Sequence, residues 1–168
     1  MQIPDTTSAR DLLRHTVATI AYRANKALRD APPAYADFHA GQDCRTPSEI
    51  VAHVGDLFDW ALSMAQGQET WHNSRPLPWS QEVQRSFDSL KRFDDFLAGP
   101  EQLHASPEKL FQGPVADALN HVGQLAILRR LSGAPIRGEN YSQAEISSGR
   151  VGQCNAANRS THAPQCRA

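Results

Sequence analysis

Residues 46–67 read TPSEIVAHVGDLFDWALSMAQG and contain the signals of one amphipathic helix with both ends marked. Thr46 is a preferred N-cap residue, Pro47 suits the first helical position, and Glu49 completes a capping box with Thr46. Gly67 follows where a helix commonly ends. Between these ends apolar residues recur every three or four positions, so one face of the helix is apolar. The sequence therefore predicts a helix from 47 to about 65 that buries one face in a core.

Three further stretches carry the same helical period. The first runs from about 8 to 29 and is stopped by two prolines. The third starts near Ser80 and ends at Gly99, and the fourth starts after Gly113–Pro114 and ends at Gly133. Their apolar stripes are, in chain order, Leu13, Val17, Ile20, Ala24 and Ala27; Val83, Phe87, Leu90, Phe93 and Leu97; Val115, Ala118, Leu119, Val122, Leu125 and Ala126.

Strand signals are nearly absent, because no segment rich in Val, Ile and Thr alternates with period two. Four helices of roughly 18 to 22 residues make rods of about 27 to 33 Å, the length used in four-helix bundles. The three linkers are each longer than ten residues, which exceeds the usual two to eight, so at least one can cross over an end of the bundle. The sequence predicts an all-α four-helix bundle with long connections over residues 1–150. A polar tail follows over 151–168, and its last residues, 161–168, are expected to fray.

Composition narrows the function classes. The chain has 168 residues and a mass of 18.5 kDa, which is the size of a single domain. Its 17 basic and 18 acidic residues leave a net charge of −1 and no basic patch, so a nucleic-acid partner is not expected. No apolar run approaches the roughly 20 residues that span a bilayer. The N-terminus lacks the features of a signal peptide, and the three cysteines show no CxxC spacing, so a cytoplasmic location is predicted.

The helical wheel of the second predicted helix singles out His53. It falls inside the apolar arc, between Trp60 and Met64, whereas Asp56 and Asp59 fall outside it. His53 is therefore expected to point at the core or its margin.

In the fourth predicted helix, His121 lies at the edge of the apolar arc and Asp117 lies one turn earlier on the same side. A histidine on one helix facing an Asp-x-x-x-His pair on another is how bundles build metal sites. Imidazole and carboxylate together suit zinc, iron, nickel or manganese, and three protein ligands leave a position for water or substrate. The same pattern suits a hydrogen-bonded core histidine and an Asp117–arginine pair, and the spacing alone does not decide between these interpretations.

Other polar and aromatic side chains are assigned more simply. Four residues are candidates for orienting the ligands or lining the pocket: Asn120, Gln124, Trp60 and Asp56. The three tryptophans either wall an apolar pocket over the metal or pack in the core: Trp60, Trp71 and Trp79. The remaining histidines are expected to be ordinary exposed residues: His15, His39, His72, His104 and His162.

The segment DALNHVGQLAILRRLSGAP at 117–135, continued by GENY at 138–141, resembles the last bundle helix of the DinB-like (YfiT-like) family. The phrase EIVAHV at 49–54 is similar to that family's second helix, and the resemblance covers about residues 8 to 150. It implies a four-helix bundle with an unusual long connection, commonly a homodimer. It also implies one divalent metal held by three histidines, one from the second helix and two from a His-x-x-x-His on the fourth.

Carried over by position, His53 matches the first of those ligands and His121 the third, while Asp117 stands where the family has its middle histidine. An aspartate can still ligate, and the set becomes two histidines and one carboxylate. The carboxylate lowers the net charge of the site, so a water bound there is expected to be less acidified.

Some members of this family transfer low-molecular-weight thiols, so the resemblance implies a metal-dependent transferase acting on a small thiol and an electrophile. Metal-assisted hydrolysis would use the same residues. The alternative is a non-catalytic dimeric bundle, with or without metal, that serves as a small-molecule sensor or interaction module. The metal motif contains no cysteine, and Cys44, just before the second helix, is the only candidate for a protein thiol nucleophile.

Overall fold

The structure is a computed structural model that describes residues 6–153. Its helices are α1 (Thr6–Leu28), α2 (Pro47–Ala65), α3 (Trp79–Ala98), the short α4 (Pro107–Leu110) and α5 (Ala116–Leu131). A π-helical turn, Phe111–Val115, joins α4 to α5, so the three pieces form one continuous fourth rod. No strand forms within residues 6–153. The predicted all-α four-helix bundle is confirmed; the predicted frayed end at 161–168 lies outside the described residues.

The ends of α2 follow from local chemistry. The Thr46 hydroxyl accepts a hydrogen bond from the Glu49 backbone N–H at 3.2 Å, and the Glu49 carboxylate accepts one from the Thr46 N–H at 2.7 Å. The second of these bonds is the main reason why the pKa of Glu49 is lowered. Gly67 follows the helix with a φ of +78°, a conformation that glycine adopts without strain. The predicted capping box is confirmed.

The start of the fourth rod differs from the prediction. Helix begins at Pro107, where the Ser106 side chain caps the N–H of Lys109, and it continues through Gly113 and Pro114. Proline lacks the N–H of a regular helical turn and crowds the carbonyl four residues earlier, and the wider π turn accommodates it. The linker before this rod, residues 99–106, is therefore shorter than predicted, whereas the linkers 29–46 and 66–78 exceed ten residues as expected.

The core gathers the predicted apolar stripes from all four rods, except that Leu119 packs against it half-buried and Ala126 is not one of its members. Its largest fully buried aromatic side chains are Tyr35, Phe58 and Phe93. Val151, the first residue assigned to the tail, is 1% exposed and belongs to this core. The other core members include Leu13, Val17, Ile20, Ile50, Val54, Leu57, Val83, Phe87, Leu90, Leu97, Val115, Ala118, Val122 and Leu125.

The segment after α5 folds back along α1. The Tyr22 hydroxyl donates a hydrogen bond to Glu139 at 2.5 Å, and Lys26 forms an ion pair with the same carboxylate. The ring of Tyr141 meets the ring of Tyr22 edge to face. None of the helices within the described part of the chain is long and apolar enough to cross a membrane.

Tyr35 ties the linker between α1 and α2 to the fourth rod. It is 1% exposed, its hydroxyl donates to the Leu125 carbonyl at 2.7 Å, and Trp79 packs edge-on against its ring at 5.8 Å. Trp79 therefore packs beside the core.

Replacing Tyr35 with phenylalanine is expected to cost about 1 kcal/mol of unfolding free energy near neutral pH, because the bond to Leu125 is lost. Burial raises the pKa of Tyr35, so the folded state favours the neutral phenol. That preference stabilises the wild type below the unfolded tyrosine pKa of about 10 and is lost as pH rises through the higher folded value. Urea unfolding at pH 8 and pH 11 should show a smaller alkaline loss for Tyr35→Phe; an equal loss would contradict this account.

Candidate metal centre

Three potential metal ligands converge where α2 faces the start of α5. His53 lies in the middle of α2, and Asp117 and His121 lie one turn apart on α5. His53 Nε2 is 3.6 Å from Asp117 Oδ2, and His121 Nε2 is 3.5 Å from Asp117 Oδ1. Each residue offers one ligand atom, and these atoms all lie within 4.8 Å of one another. The structure thus brings together the three residues that the sequence proposed as ligands, and together they can hold a metal ion.

The spacing of these atoms suits coordination better than direct hydrogen bonding. A strong nitrogen–oxygen hydrogen bond has a length of about 2.9 Å, shorter than either histidine–carboxylate distance. Two ligands that each lie about 2.1 Å from a tetrahedral zinc ion are about 3.4 Å apart, close to both distances, which run to different oxygens of the Asp117 carboxylate. The donor set also fits, because neutral imidazoles and a carboxylate are ordinary ligands of zinc, iron, nickel and manganese.

His121 is oriented by a neighbour on its own helix. Its Nδ1 lies 2.8 Å from Oε1 of Gln124, and an amide oxygen only accepts hydrogen bonds. The contact therefore places the ring proton on Nδ1 and leaves the Nε2 lone pair facing the carboxylate, the arrangement that metal-binding histidines commonly use. Asn120 was predicted to help in the same way but is exposed, and within residues 6–153 it forms no hydrogen bond with His53 or His121.

His53 is held by aromatic rings. It meets the His121 ring edge to face at 4.6 Å and the Trp71 ring at 5.7 Å. The pKa of His53 is lowered, first by burial and then by the positive charge of Arg45, with the Asp117 carboxylate opposing the shift. The lowered pKa favours the neutral imidazole of His53, and the neutral imidazole is the form that binds metal.

One side of the site is open to solvent. The Asp117 side chain is 46% exposed, compared with 16% for His53 and 11% for His121. Trp71 is 42% exposed beside this opening, and Trp60 meets it edge-on at 5.7 Å. Trp71 thus presents an apolar ring next to His53, whereas Trp60 packs against both Trp71 and the core.

Asp56 has a different surrounding from the one predicted for it. It was proposed to lie in the pocket, but its side chain turns to the linker 66–78, here called the strap. Its carboxylate accepts hydrogen bonds from the backbone N–H and the hydroxyl of Ser74, both at 2.7 Å, and from Arg85 at 3.0 Å. No described contact joins Asp56 to His53, Asp117 or His121.

His72 was missed by the sequence reasoning, which treated it as an ordinary exposed residue. It is 45% exposed, but its Nε2 lies 3.0 Å from Asp56 and 3.6 Å from Asp59, which makes a second cluster of potential ligands. In the sequence, the only feature that indicates this cluster is the pair of acidic residues, Asp56 and Asp59, three positions apart on the polar side of α2. Nothing in the pattern around His72 places it beside them.

Arginines on α3 already neutralise this second cluster. Arg85 lies 3.0 Å from Asp56 and 3.9 Å from Asp59, and Arg92 lies 2.7 Å from Asp59. A Cβ atom at Gly55 would come within 3.0 Å of the Arg85 guanidinium, so this glycine leaves the room that Arg85 occupies. A metal ion here would have to compete with two guanidinium groups. At the His53–Asp117–His121 site, Arg45 acts on His53 only through its charge, and within the described residues no arginine or lysine is ion-paired with Asp117. We therefore take this site as the candidate metal centre.

Comparison of the chain with protein-family models, with curated proteins and with solved structures found no match. The assignment to the DinB-like family therefore stays a prediction.

Proposed function

We propose that this protein binds one divalent metal ion through His53, Asp117 and His121 and uses it to activate a low-molecular-weight thiol for transfer to an electrophilic small molecule. The observation that carries the metal part is the convergence of three ligand atoms, from two rods of the bundle, within 4.8 Å of one another. Three protein ligands and one open side are the arrangement of catalytic rather than structural metal sites.

In the proposed transfer, the side chains and the metal ion have separate roles. When bound, a divalent ion lowers the pKa of a thiol or water molecule in its open position. The two imidazoles would bind the ion, and Asp117 adds one negative charge that partly offsets the charge of the ion. The Asp117 side chain is 46% exposed, so reactants can approach the site from solvent on that side. The thiol loses its proton to solvent, its sulfur forms a bond to the electrophilic carbon, and the leaving group departs with the electron pair of the broken bond.

The choice of a thiol rests on the resemblance of residues 117–135 and 49–54 to the DinB-like family. The exposed ring of Trp71 beside His53 is an apolar surface that suits an electrophile with an apolar body. With the same resemblance we propose a homodimer and a location in the cytoplasm, where small thiols remain reduced.

A metal titration followed by a thiol assay tests this function. The purified chain should take up about one equivalent of zinc, nickel, iron(II) or manganese(II), measured by elemental analysis after gel filtration. The loaded protein should then consume a small thiol together with an activated aryl halide, and removal of the metal with a chelator should abolish the reaction.

Each other outcome rejects a stated part of the proposal. A metal-dependent product that carries a hydroxyl group from water in place of the thiol sulfur would identify a hydrolase. One equivalent of metal without turnover over a panel of thiols would leave a metal-binding bundle that acts as a sensor or interaction module. Failure to bind any of the four metals would reject the metal centre itself.

A further inference from the structure

We infer that Asp56, which touches none of the three metal ligands, is a positioning residue for the metal centre: it fastens the strap whose Trp71 fixes the ring of His53. This inference rests on the proposed function, because it concerns how one ligand of the same site is oriented.

Helix side chains hydrogen-bond the strap at three points, and the backbone N–H groups of Gln68 and Glu69 also bond the Ser63 carbonyl. The Ser63 hydroxyl on α2 bonds the backbone of Thr70, accepting from its N–H at 3.0 Å. Asp56 bonds both donors of Ser74, and the buried carboxylate of Glu82 on α3 accepts from the Leu77 N–H at 2.7 Å. Trp71 lies between the first and second fastenings. Its position therefore depends on Ser63 and Asp56, together with the edge-on contact of Trp60 on α2.

Asp56 is the strongest of these fastenings. The residue is 1% exposed, and its two oxygens accept hydrogen bonds from the two Ser74 donors and Arg85. The imidazole Nε2 of His72 also lies 3.0 Å from Oδ1. Hydrogen bonds to a buried carboxylate are charge-assisted and are about twice as strong as neutral ones. Freeing the strap would leave this carboxylate with fewer partners in a buried place, which is costly.

His53 depends on the strap more than His121 does. Gln124 fixes the His121 ring through Nδ1. Within residues 6–153 no hydrogen bond to Nδ1 of His53 is seen, so the edge-to-face contacts with Trp71 and His121 limit the rotation of its ring. An imidazole binds a metal along a lone pair in the ring plane, and losing a group that orients a ligand typically costs about 10- to 100-fold in metal affinity.

Asp56→Asn is the direct test, and Asp94→Asn is its matched control. The substitution at 56 places an amide donor against donors of Ser74 or Arg85. Asp94 is also 1% exposed, and it too bonds an arginine from another rod, Arg14 at 3.2 Å, but it does not touch the strap. Both variants disrupt a buried aspartate–arginine pair, and only Asp56→Asn removes a fastening.

The first readout needs no metal. In the metal-free protein, the His53 ring protons should shift in nuclear magnetic resonance spectra of Asp56→Asn, because the ring current of Trp71 moves away, and should stay unchanged in Asp94→Asn. Hydrogen exchange of the Ser74 amide should accelerate in Asp56→Asn alone. If Asp56→Asn fails to fold, Ser74→Ala removes the hydroxyl bond and keeps the backbone N–H bond, with Asp56 and Arg85 intact. It should shift the His53 protons in the same direction by a smaller amount.

The second readout is cobalt(II) affinity, followed by its absorption. Asp56→Asn should bind cobalt at least about 10-fold more weakly than Asp94→Asn. Unchanged His53 resonances, or a shift in resonances without a loss of affinity, would overturn the inference. If the wild type binds no cobalt or other divalent ion, the proposed function fails, and the His53 resonances still decide whether Asp56 positions the ring.

Discussion

His53→Ala and His121→Ala are each expected to lower the affinity for a divalent metal by about 100-fold or more. Each substitution removes one of three protein ligands and leaves a two-ligand set, which holds an ion only weakly. Both side chains lie at the margin of the core, where the exposed fraction is 16% for His53 and 11% for His121, so the fold should survive. Competition with a coloured chelator measures the affinity, and circular dichroism checks the fold.

Two control variants separate this site from other metal-binding surfaces. His15→Ala removes an exposed histidine on α1 that belongs to neither ligand cluster, and it should leave the affinity unchanged. Asp59→Asn removes a carboxylate from the cluster of Asp56, Asp59 and His72 and should change the affinity less than about twofold. A metal that is lost in Asp59→Asn and retained in His53→Ala would move the site to that second cluster.

The three ligands could be predicted from the sequence because the prediction used only spacings within single helices. Asp117 and His121 are one helical turn apart, so their place on one face follows from the helical repeat alone. The helical wheel of the second helix placed His53 at the margin of the core. The remaining assumption was that the bundle packs this face against the face of the fourth helix that carries Asp117 and His121. The observed distances of 3.5 and 3.6 Å among these side chains follow from that arrangement.

The capping box of α2 was predictable for a similar reason, because Thr46 and Glu49 bond each other within three residues. The start of the fourth rod was not. Pro114 ordinarily ends a helix, but a π turn absorbs it, and the helix continues back to Pro107. Whether the helix breaks or forms a π turn depends on packing around that turn, which includes the buried residues Leu110 and Val115. A sequence pattern does not contain this packing and so does not predict the π turn.

The strap was the least predictable part of the site. Ser74 and Asp56 are 18 residues apart, and the bond between them joins a linker without periodicity to the polar side of a helix. The sequence predicts Asp56 in the pocket and His72 as an ordinary exposed residue. His72 is exposed as expected, but neither prediction includes the buried carboxylate that binds the linker.

Arg85→Met is expected to be the most destabilising of the surface-accessible substitutions considered, at about 3–5 kcal/mol of unfolding free energy. Arg85 bonds the carboxylates of Glu82 at 2.7 Å and Asp56 at 3.0 Å, and both of these residues are almost fully buried. Although burial alone would lower it, the pKa of Arg85 is raised by these two carboxylates. Methionine fills much of the same volume but leaves both acids without a positive partner, and unpaired buried charges are costly.

Arg92→Met provides the matched comparison, because Arg92 lies two turns later on the same helix and bonds Asp59 at 2.7 Å. Its side chain is 52% exposed, compared with 22% for Arg85, and exposed ion pairs contribute about 0–1 kcal/mol. Urea unfolding at neutral pH should therefore separate the two variants by at least about 2 kcal/mol. Similar small losses would mean that water or rearranged side chains reach Glu82 and Asp56 once Arg85 is gone. In that case the contacts of Asp56 with the strap would be less firmly buried than the structure indicates.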